Sequence, residues 1–300
     1  MTPAMIDPRA LRTFHEVCRA GSITGAARAL NISQPSVSSA IALLEARLGA
    51  VLFERTRAGI VLTPAGEALR VRAQMLDHLL RDAQAEVGAA QEGLNGPLRI
   101  GGTPGALVSL LPMAIARIEQ SLPHLTLNVL ERADRELTTM LREGDIELAF
   151  VTTAMDEPDE DIAERTLARD PFALIVGAQA QDLPPSISLR ETGQLSWVLP
   201  EAQGAFRRQV DALFAHAGVP VPRDVIRCDS LLTTKALLRD CGRVTILPMR
   251  VAASELSMGV LRAVPIAEAG FERNVGVRWL KARGLSPLAT QLIAQWEHIG

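Results

Sequence analysis

The sequence predicts an α/β chain in three parts: a small, mostly helical N-terminal module, one long helix, and a two-lobed α/β domain filling the last two-thirds. Three observations carry this. Apolar residues recur at helical spacing in three short capped segments before Gly49; one helical pattern then runs for roughly thirty residues from Pro64; and after a glycine-rich break at Gly93–Pro97 strands and helices alternate. A length of 300 residues also exceeds one ordinary compact domain.

Asp7-Pro8 reads as an N-cap and a helix-starting proline, after which Leu11, Phe14, Val17 and Cys18 share one helical face. Gly21 ends that helix. Ser22 caps a short second one with Ala26, Ala27 and Leu30 inward, and Asn31-Ile32-Ser33 is a tight turn. Ser33 caps a third helix, with Gln34, Pro35 and Ser36 in its first turn and Val37, Ile41, Leu44 and Leu48 inward. Two short helices joined by a three-residue turn, with alanines where their backbones cross, make a helix-turn-helix whose second helix fits the DNA major groove. Gln34, Ser36, Ser38 and Ser39 lie where side chains reach base edges and free amides meet phosphates. Such packing also occurs in proteins that never touch DNA. Two short strands, Leu52–Arg55 and Ile60–Thr63, then flank the basic turn Arg57-Ala58-Gly59, completing an all-α module with a wing in which Arg55 and Arg57 face the duplex backbone or minor groove.

Charge agrees with this division. The chain carries a net −3, yet through Thr63 it holds Arg9, Arg12, Arg19, Arg28, Arg47, Arg55 and Arg57 against Asp7, Glu16, Glu45 and Glu54. From Pro64, Leu69, Ala73, Leu76, Leu80, Ala83, Val87 and Ala90 alternate four and three apart, a heptad seam suited to the same helix of a second subunit. A core helix within one subunit is the other reading.

The run Leu11, Phe14, Gly21-Ser22, Ala26-Ala27, Leu30, Ser33-Gln34-Pro35, Ser38, Ile41, Leu44-Glu45, Leu48-Gly49, Leu52-Phe53, Arg55, Leu62-Thr63 and Gly66 resembles the signature of LysR-type transcriptional regulators. The match spans about 60 residues with many fixed positions, which makes it specific. The resemblance implies that Ser33, Gln34, Pro35 and Ser38 begin a recognition helix and that Arg55 lies in its wing. One departure is Ser39-Ala40, where the family often has Arg or Gln; this shifts weight from base contacts to DNA shape.

After the break, strands are read at Leu98–Ile100, Leu125–Leu130, Ile146–Val151, Phe172–Val176, Trp197–Leu199, Asp224–Cys228, Val244–Leu247 and Asn274–Leu280. Helices through Gln120, at Arg135–Arg142, Phe206–Ala217, Leu231–Arg239 and Pro287–Ile299 separate them. This order predicts a mainly parallel sheet in two lobes, similar to the family's effector domain and to periplasmic binding proteins. The expected domains are 1–63 (winged helix-turn-helix), 64–92 (linker and dimerisation helix, through Leu69, Leu76, Leu80 and Val87) and 93–300 (effector domain, with lobe 1 at about 97–168 and 268–300 and lobe 2 at about 169–267). A departure at Cys241-Gly242-Arg243, where the family often has paired glycines, leaves the local backbone there open.

Ligands of open parallel sheets sit at the carboxyl ends of strands, beside helix N-termini. That rule selects Thr103, Pro104, Thr152, Thr153 and Ser230, joined by Arg207, as an effector site for a small organic acid or related metabolite. Any single one of these hydroxyls reads first as a simple helix cap, and it is their convergence that argues for a site. Neither H-E-x-x-H, G-x-S-x-G nor a cysteine–histidine constellation appears, so no enzyme, cofactor or metal site is expected. The Asp156–Asp161 acidic run reads as a solvated loop, and Cys18, Cys228 and Cys241 as unpaired thiols, with redox activity of the last two left open. No apolar run suits a membrane span and Met1–Ala10 lacks a signal pattern, so a cytoplasmic protein is expected. Expected partners are double-stranded DNA, a small-molecule effector and a second copy in a dimer or tetramer, with RNA polymerase a further candidate. The rival is a binding protein or transferase-like enzyme with an incidental N-terminal appendage; salt-dependent duplex binding separates the two.

Overall fold

The computed structural model describes residues 6–56, 59–91, 95–180, 183–270 and 272–296. Two compact units result, one ending at Gly96 and taking in Arg142–Asp145, the other formed by Pro97–Leu141 and the chain from Ile146 onward.

In the first unit, helices α1 (Pro8–Ala20), α2 (Ile23–Leu30) and α3 (Gln34–Leu48) each begin at a side-chain cap. Asp7 accepts from the Arg9 amide, Ser22 from Gly25 and Ser33 from Ser36. Each cap satisfies an amide that has no intrahelical partner. Asn31 closes α2 at φ 53°, a left-handed conformation that asparagine tolerates, and so sets the turn into α3. Phe14, Val17, Ala26, Ala27, Val37, Ile41 and Leu44 are buried together. Leu48, expected inward, is exposed instead, because α3 outruns the core beneath it.

Strands β1 (Phe53–Thr56) and β2 (Gly59–Leu62) pair antiparallel as the wing. Glu45 ties this wing to α3: its carboxylate accepts from the Leu52 amide at 2.7 Å and the Phe53 amide at 3.4 Å. The Thr63 hydroxyl donates to the Val51 carbonyl at 2.7 Å and accepts from the Gly66 amide at 3.0 Å, tying it to α4 (Pro64–Gln91). Ala73 of α4 is fully buried, and Leu69 and Leu76 pack half-buried against the three-helix core. Their assignment to an intersubunit seam is therefore corrected. A module of three short helices has too little apolar area to close its own core, and the first half of α4 completes it. Leu80 and Val87 stay exposed, and Leu79 joins them.

The second unit runs β3 (Asn95–Gly102), α5 (Pro104–Ile118), β4 (Leu125–Glu131), α6 (Asp134–Glu143), β5 (Leu148–Thr152), β6 (Ile162–Gly177), β7 (Trp197–Leu199), α7 (Ala205–Ala217), β8 (Val225–Arg227), α8 (Leu231–Cys241), β9 (Val244–Pro248), α9 (Ala253–Ser257), β10 (Leu261–Pro265), β11 (Glu272–Leu280) and α10 (Pro287–Ala294). The strand order is β4-β3-β5-β11-β6-β9-β7-β8, with β10 also on β6. Two cores flank the long β6. One gathers Ile100, Leu110, Phe150, Val277 and Leu292; the other gathers Leu174, Trp197, Leu213, Phe214 and Ile246. β6 feeds both, pairing with β11 through Ile162–Pro171 and with β9 and β10 through Phe172–Gly177.

The sheet is mixed rather than mainly parallel: β3–β5, β7–β8 and β7–β9 are parallel, while β11 and β6 run antiparallel to their neighbours. Sequence reading missed β10 and the first half of β6, because Asp170-Pro171 reads as a break and the charged residues before it read as loop. Gly242 takes φ 63° and closes α8, which resolves the local backbone at Cys241-Gly242-Arg243.

Candidate DNA-binding face and effector cleft

On α3, Gln34, Pro35, Ser36 and Ser38 are all exposed, while Val37 and Ile41 behind them are buried. The polar first turn is thus presented by a rigid apolar backing. Ser33, also exposed, caps the helix: its hydroxyl oxygen accepts from the Ser36 amide at 3.3 Å and lies 2.7 Å from the Ser36 hydroxyl. Ser39, Leu43 and Arg47 continue the exposed face along the helix. Leu43 was not singled out from sequence; an exposed aliphatic side chain on a reading helix can meet a thymine methyl group. Arg55 occupies β1 opposite Ile60, and Arg57 lies outside the described residues.

The second unit contains a cleft of about 690 Å³. Thr103, Pro104, Thr152 and Arg207 line it, and the first turns of α5, α7 and α8 open on it. Two expected residues fall away. Thr153, just after β5, is buried with its hydroxyl 2.8 Å from that of Thr166 on β6. Ser230 caps α8, accepting from the Thr233 amide at 3.2 Å and the Thr233 hydroxyl at 3.0 Å. One turn further on, Thr234 lines the cleft instead.

Arg207 is compensated. It donates to the Glu201 carbonyl at 2.6 Å and lies 3.5 Å from the Asp211 carboxylate. Arg208 pairs with Asp156 at 2.6 Å and is exposed.

The residue that sequence reading missed is Arg273. It opens into the cleft from the start of β11, yet only 3% of it is exposed. Its Nε donates to the Thr152 hydroxyl at 3.0 Å, so Thr152 orients the guanidinium. Burial lowers its pKa to about 10, and the nearby Asp170 charge opposes that shift. Asp170 is itself fully buried; burial raises its pKa, while the Arg250 amide at 2.9 Å and the Ser109 hydroxyl at 3.3 Å donate to it. The two residues face each other in the β6–β11 register. No local motif announces that pairing, since they are far apart in sequence and Arg273 precedes the apolar alternation that marks its strand. Thr234 was easier to find: it stands four residues after Ser230 on one helix face.

Residues 8–67 match the family model described as bacterial regulatory helix-turn-helix protein, lysR family, and residues 91–298 match the LysR substrate binding domain. The regulator GalR of Pseudomonas putida is 27% identical over 290 residues, covering 97% of this chain and 73% of GalR. TfdS of Cupriavidus pinatubonensis is 30% identical, covering 91% and 92% of the two chains. Among solved structures, a full-length OxyR variant from Pseudomonas aeruginosa aligns at TM-score 0.70 and 22% identity over 98% of this chain and 95% of its own. Full-length CbnR in complex with its target DNA aligns at TM-score 0.66 and 24% identity, over 98% and 100%. At these identities the structures speak for the fold. No helix among the described residues is long and apolar enough to cross a membrane.

Proposed function

This chain belongs to the LysR family of DNA-binding transcription regulators with a substrate-binding effector domain, and on that premise we propose how its parts divide the work. Residues 1–63 read DNA, with Gln34, Pro35, Ser36 and Ser38 at base edges, Ser33 holding their turn in place, and Arg55 and Arg57 on the duplex backbone. Residues 64–92 join two copies through the outer half of α4. Residues 93–300 hold a small organic acid in the cleft lined by Thr103, Pro104, Thr152, Thr234, Arg207 and Arg273. The protein acts in the cytoplasm as an oligomer. Binding of the acid in the cleft changes the spacing of the DNA-reading units across the oligomer.

The observation that carries this reading is the exposed polar first turn of α3 on a buried apolar backing. Its N-terminal amides and short hydroxyls suit phosphates and base edges together. Selection of binding sites from a randomised duplex library tests it. Gln34→Ala is expected to lose about 1–3 kcal/mol on the selected site and to relax the preferred bases, while Arg55→Ala weakens all duplexes alike. An unchanged preferred sequence in Gln34→Ala refutes the assignment of Gln34 as a base reader.

A further inference from the structure

The outward face of α3 carries no charge over its first three turns. Val37, Ile41 and Leu44 are buried and fix the inward stripe of the helix, so at about 3.6 residues per turn Ser39, Leu43 and Ala46 lie on the opposite stripe, continuing Pro35 and Ser36 of the first turn. All five are exposed. Surface helices ordinarily place charged or long polar side chains on such a stripe. The charged residues of α3 are Glu45 and Arg47, and Glu45 is engaged by the Leu52 and Phe53 amides at 2.7 and 3.4 Å. The Ser36 hydroxyl is engaged too, 2.7 Å from that of Ser33. The stripe therefore offers a partner the Ser39 hydroxyl and, as its one large side chain, Leu43, which is 56% exposed.

What can meet that surface in a major groove is narrow. Guanine presents two acceptors and calls for Arg or Lys, adenine a donor and an acceptor that suit Asn or Gln, and cytosine a donor that suits a carboxylate; thymine alone adds an apolar group, its C5 methyl. A leucine set against the polar base edges would desolvate them without giving a hydrogen bond in return. Set against a methyl group, it removes apolar surface from water on both sides. The charge of the module favours DNA over a protein as the cover for this face, since through Thr63 seven arginines stand against four acids.

We propose that Leu43 is a specificity-determining residue of α3 that packs on the C5 methyl group of a thymine in the bound duplex. The inference rests on the reading of α3 as the DNA-reading helix, and names the base that its middle turns select. Leu43 stands seven residues after Ser36 on the same face, a rise of about 10 Å or roughly three base-pair steps. The thymine accordingly lies about three base pairs along the groove from the pair met by the first turn. Ser39, one turn before Leu43, adds a hydroxyl that can donate or accept and so tolerates either neighbouring base.

The test uses the full-length chain and the duplex it selects from a randomised library. That duplex is resynthesised with deoxyuridine in place of one thymidine at a time, which deletes only the methyl group, and binding is read by fluorescence anisotropy at fixed ionic strength. At one position uracil should weaken the wild type about three- to tenfold, the scale of one buried methyl group. Leu43→Ala should bind the thymine duplex as weakly as the wild type binds the uracil one, and should not respond to uracil there. Its thermal midpoint should match the wild type, because the side chain is exposed. Leu43→Met keeps an apolar end and should keep the uracil penalty. No penalty at any single position, or the same penalty in Leu43→Ala as in the wild type, overturns the contact. So does a Leu43→Ala variant that binds DNA like the wild type but sediments as a smaller oligomer, which would give this face to a second copy. Gln34→Ala is read on the same duplexes. Relaxed base preference in Gln34→Ala with no uracil penalty in the wild type leaves α3 as the reading helix and removes Leu43 from it; a Leu43-dependent penalty with unchanged preference in Gln34→Ala does the reverse for Gln34.

Discussion

Replacing Gly66 by alanine tests whether the wing and the long helix are locked into one folding unit. A β-carbon at position 66 would stand 2.2 Å from the Leu52 carbonyl oxygen and 2.8 Å from the Leu62 Cδ2, where ordinary contact begins near 3.4 Å. The Leu62 methyl can turn aside, but the Leu52 carbonyl cannot. It accepts from the Thr63 amide at 3.0 Å, and the amide of the same residue is held by Glu45 at 2.7 Å. Gly66 itself donates to the Thr63 hydroxyl, so moving α4 away strains the bond from the other side. Overpacking of this kind costs about 1–3 kcal/mol, and one weakened backbone bond about 1 kcal/mol more. Better helix propensity returns at most about 1 kcal/mol, which leaves a net loss of about 1–3 kcal/mol in the first unit. Gly88→Ala on the same helix is the control, because nothing lies within 4 Å of its added carbon, and a gain of about 0.5–1 kcal/mol is expected. Differential scanning calorimetry of the full-length variants reads both. If Gly66→Ala proves as stable as Gly88→Ala, the wing yields freely and the lock described here does not exist.

Leu80→Glu combined with Val87→Glu should split the oligomer in sedimentation velocity without unfolding it, since both side chains are exposed on one subunit. Leu69→Glu should unfold the first unit instead, because that side chain packs on the core, and a folded monomer of this variant would restore the longer seam. Burial raises the Cys18 pKa to about 11, about two units above an ordinary thiol, so its thiolate fraction at pH 8 falls roughly a hundredfold. Alkylation at that pH, followed by mass spectrometry, should modify the exposed Cys241 long before Cys18; equal rates refute the buried assignment.

The N-terminal unit was legible because its signals are local. Asp7, Ser22 and Ser33 mark helix starts by a bond spanning only two or three residues, and the αL turn at Asn31 needs no distant partner. The Leu62-Thr63-x2-Gly66 run likewise owes its pattern to contacts made almost entirely with residues 45–53. What failed there was the assignment of a burying partner: helical spacing shows that Leu69 and Leu76 share a face, but not whether that face meets the same chain or another.

The cleft was legible only in part, for a reason that follows from topology. Strand-end rules reach Thr103 and Thr152, both of which line the cleft, because the position after a strand is readable locally. They could not separate Thr152 from Thr153, since one residue of register decides which hydroxyl faces the cleft and which pairs with Thr166. They also could not find Arg273. Its role comes from β11 being laid beside both β5 and β6, which sets it opposite Asp170 and against Gly105, residues more than a hundred positions away. A charge whose meaning depends on three segments converging leaves no pattern in any one of them. The same convergence brings a desolvated guanidinium to the cleft wall, where the charge of Asp170 offsets only part of the cost of its burial.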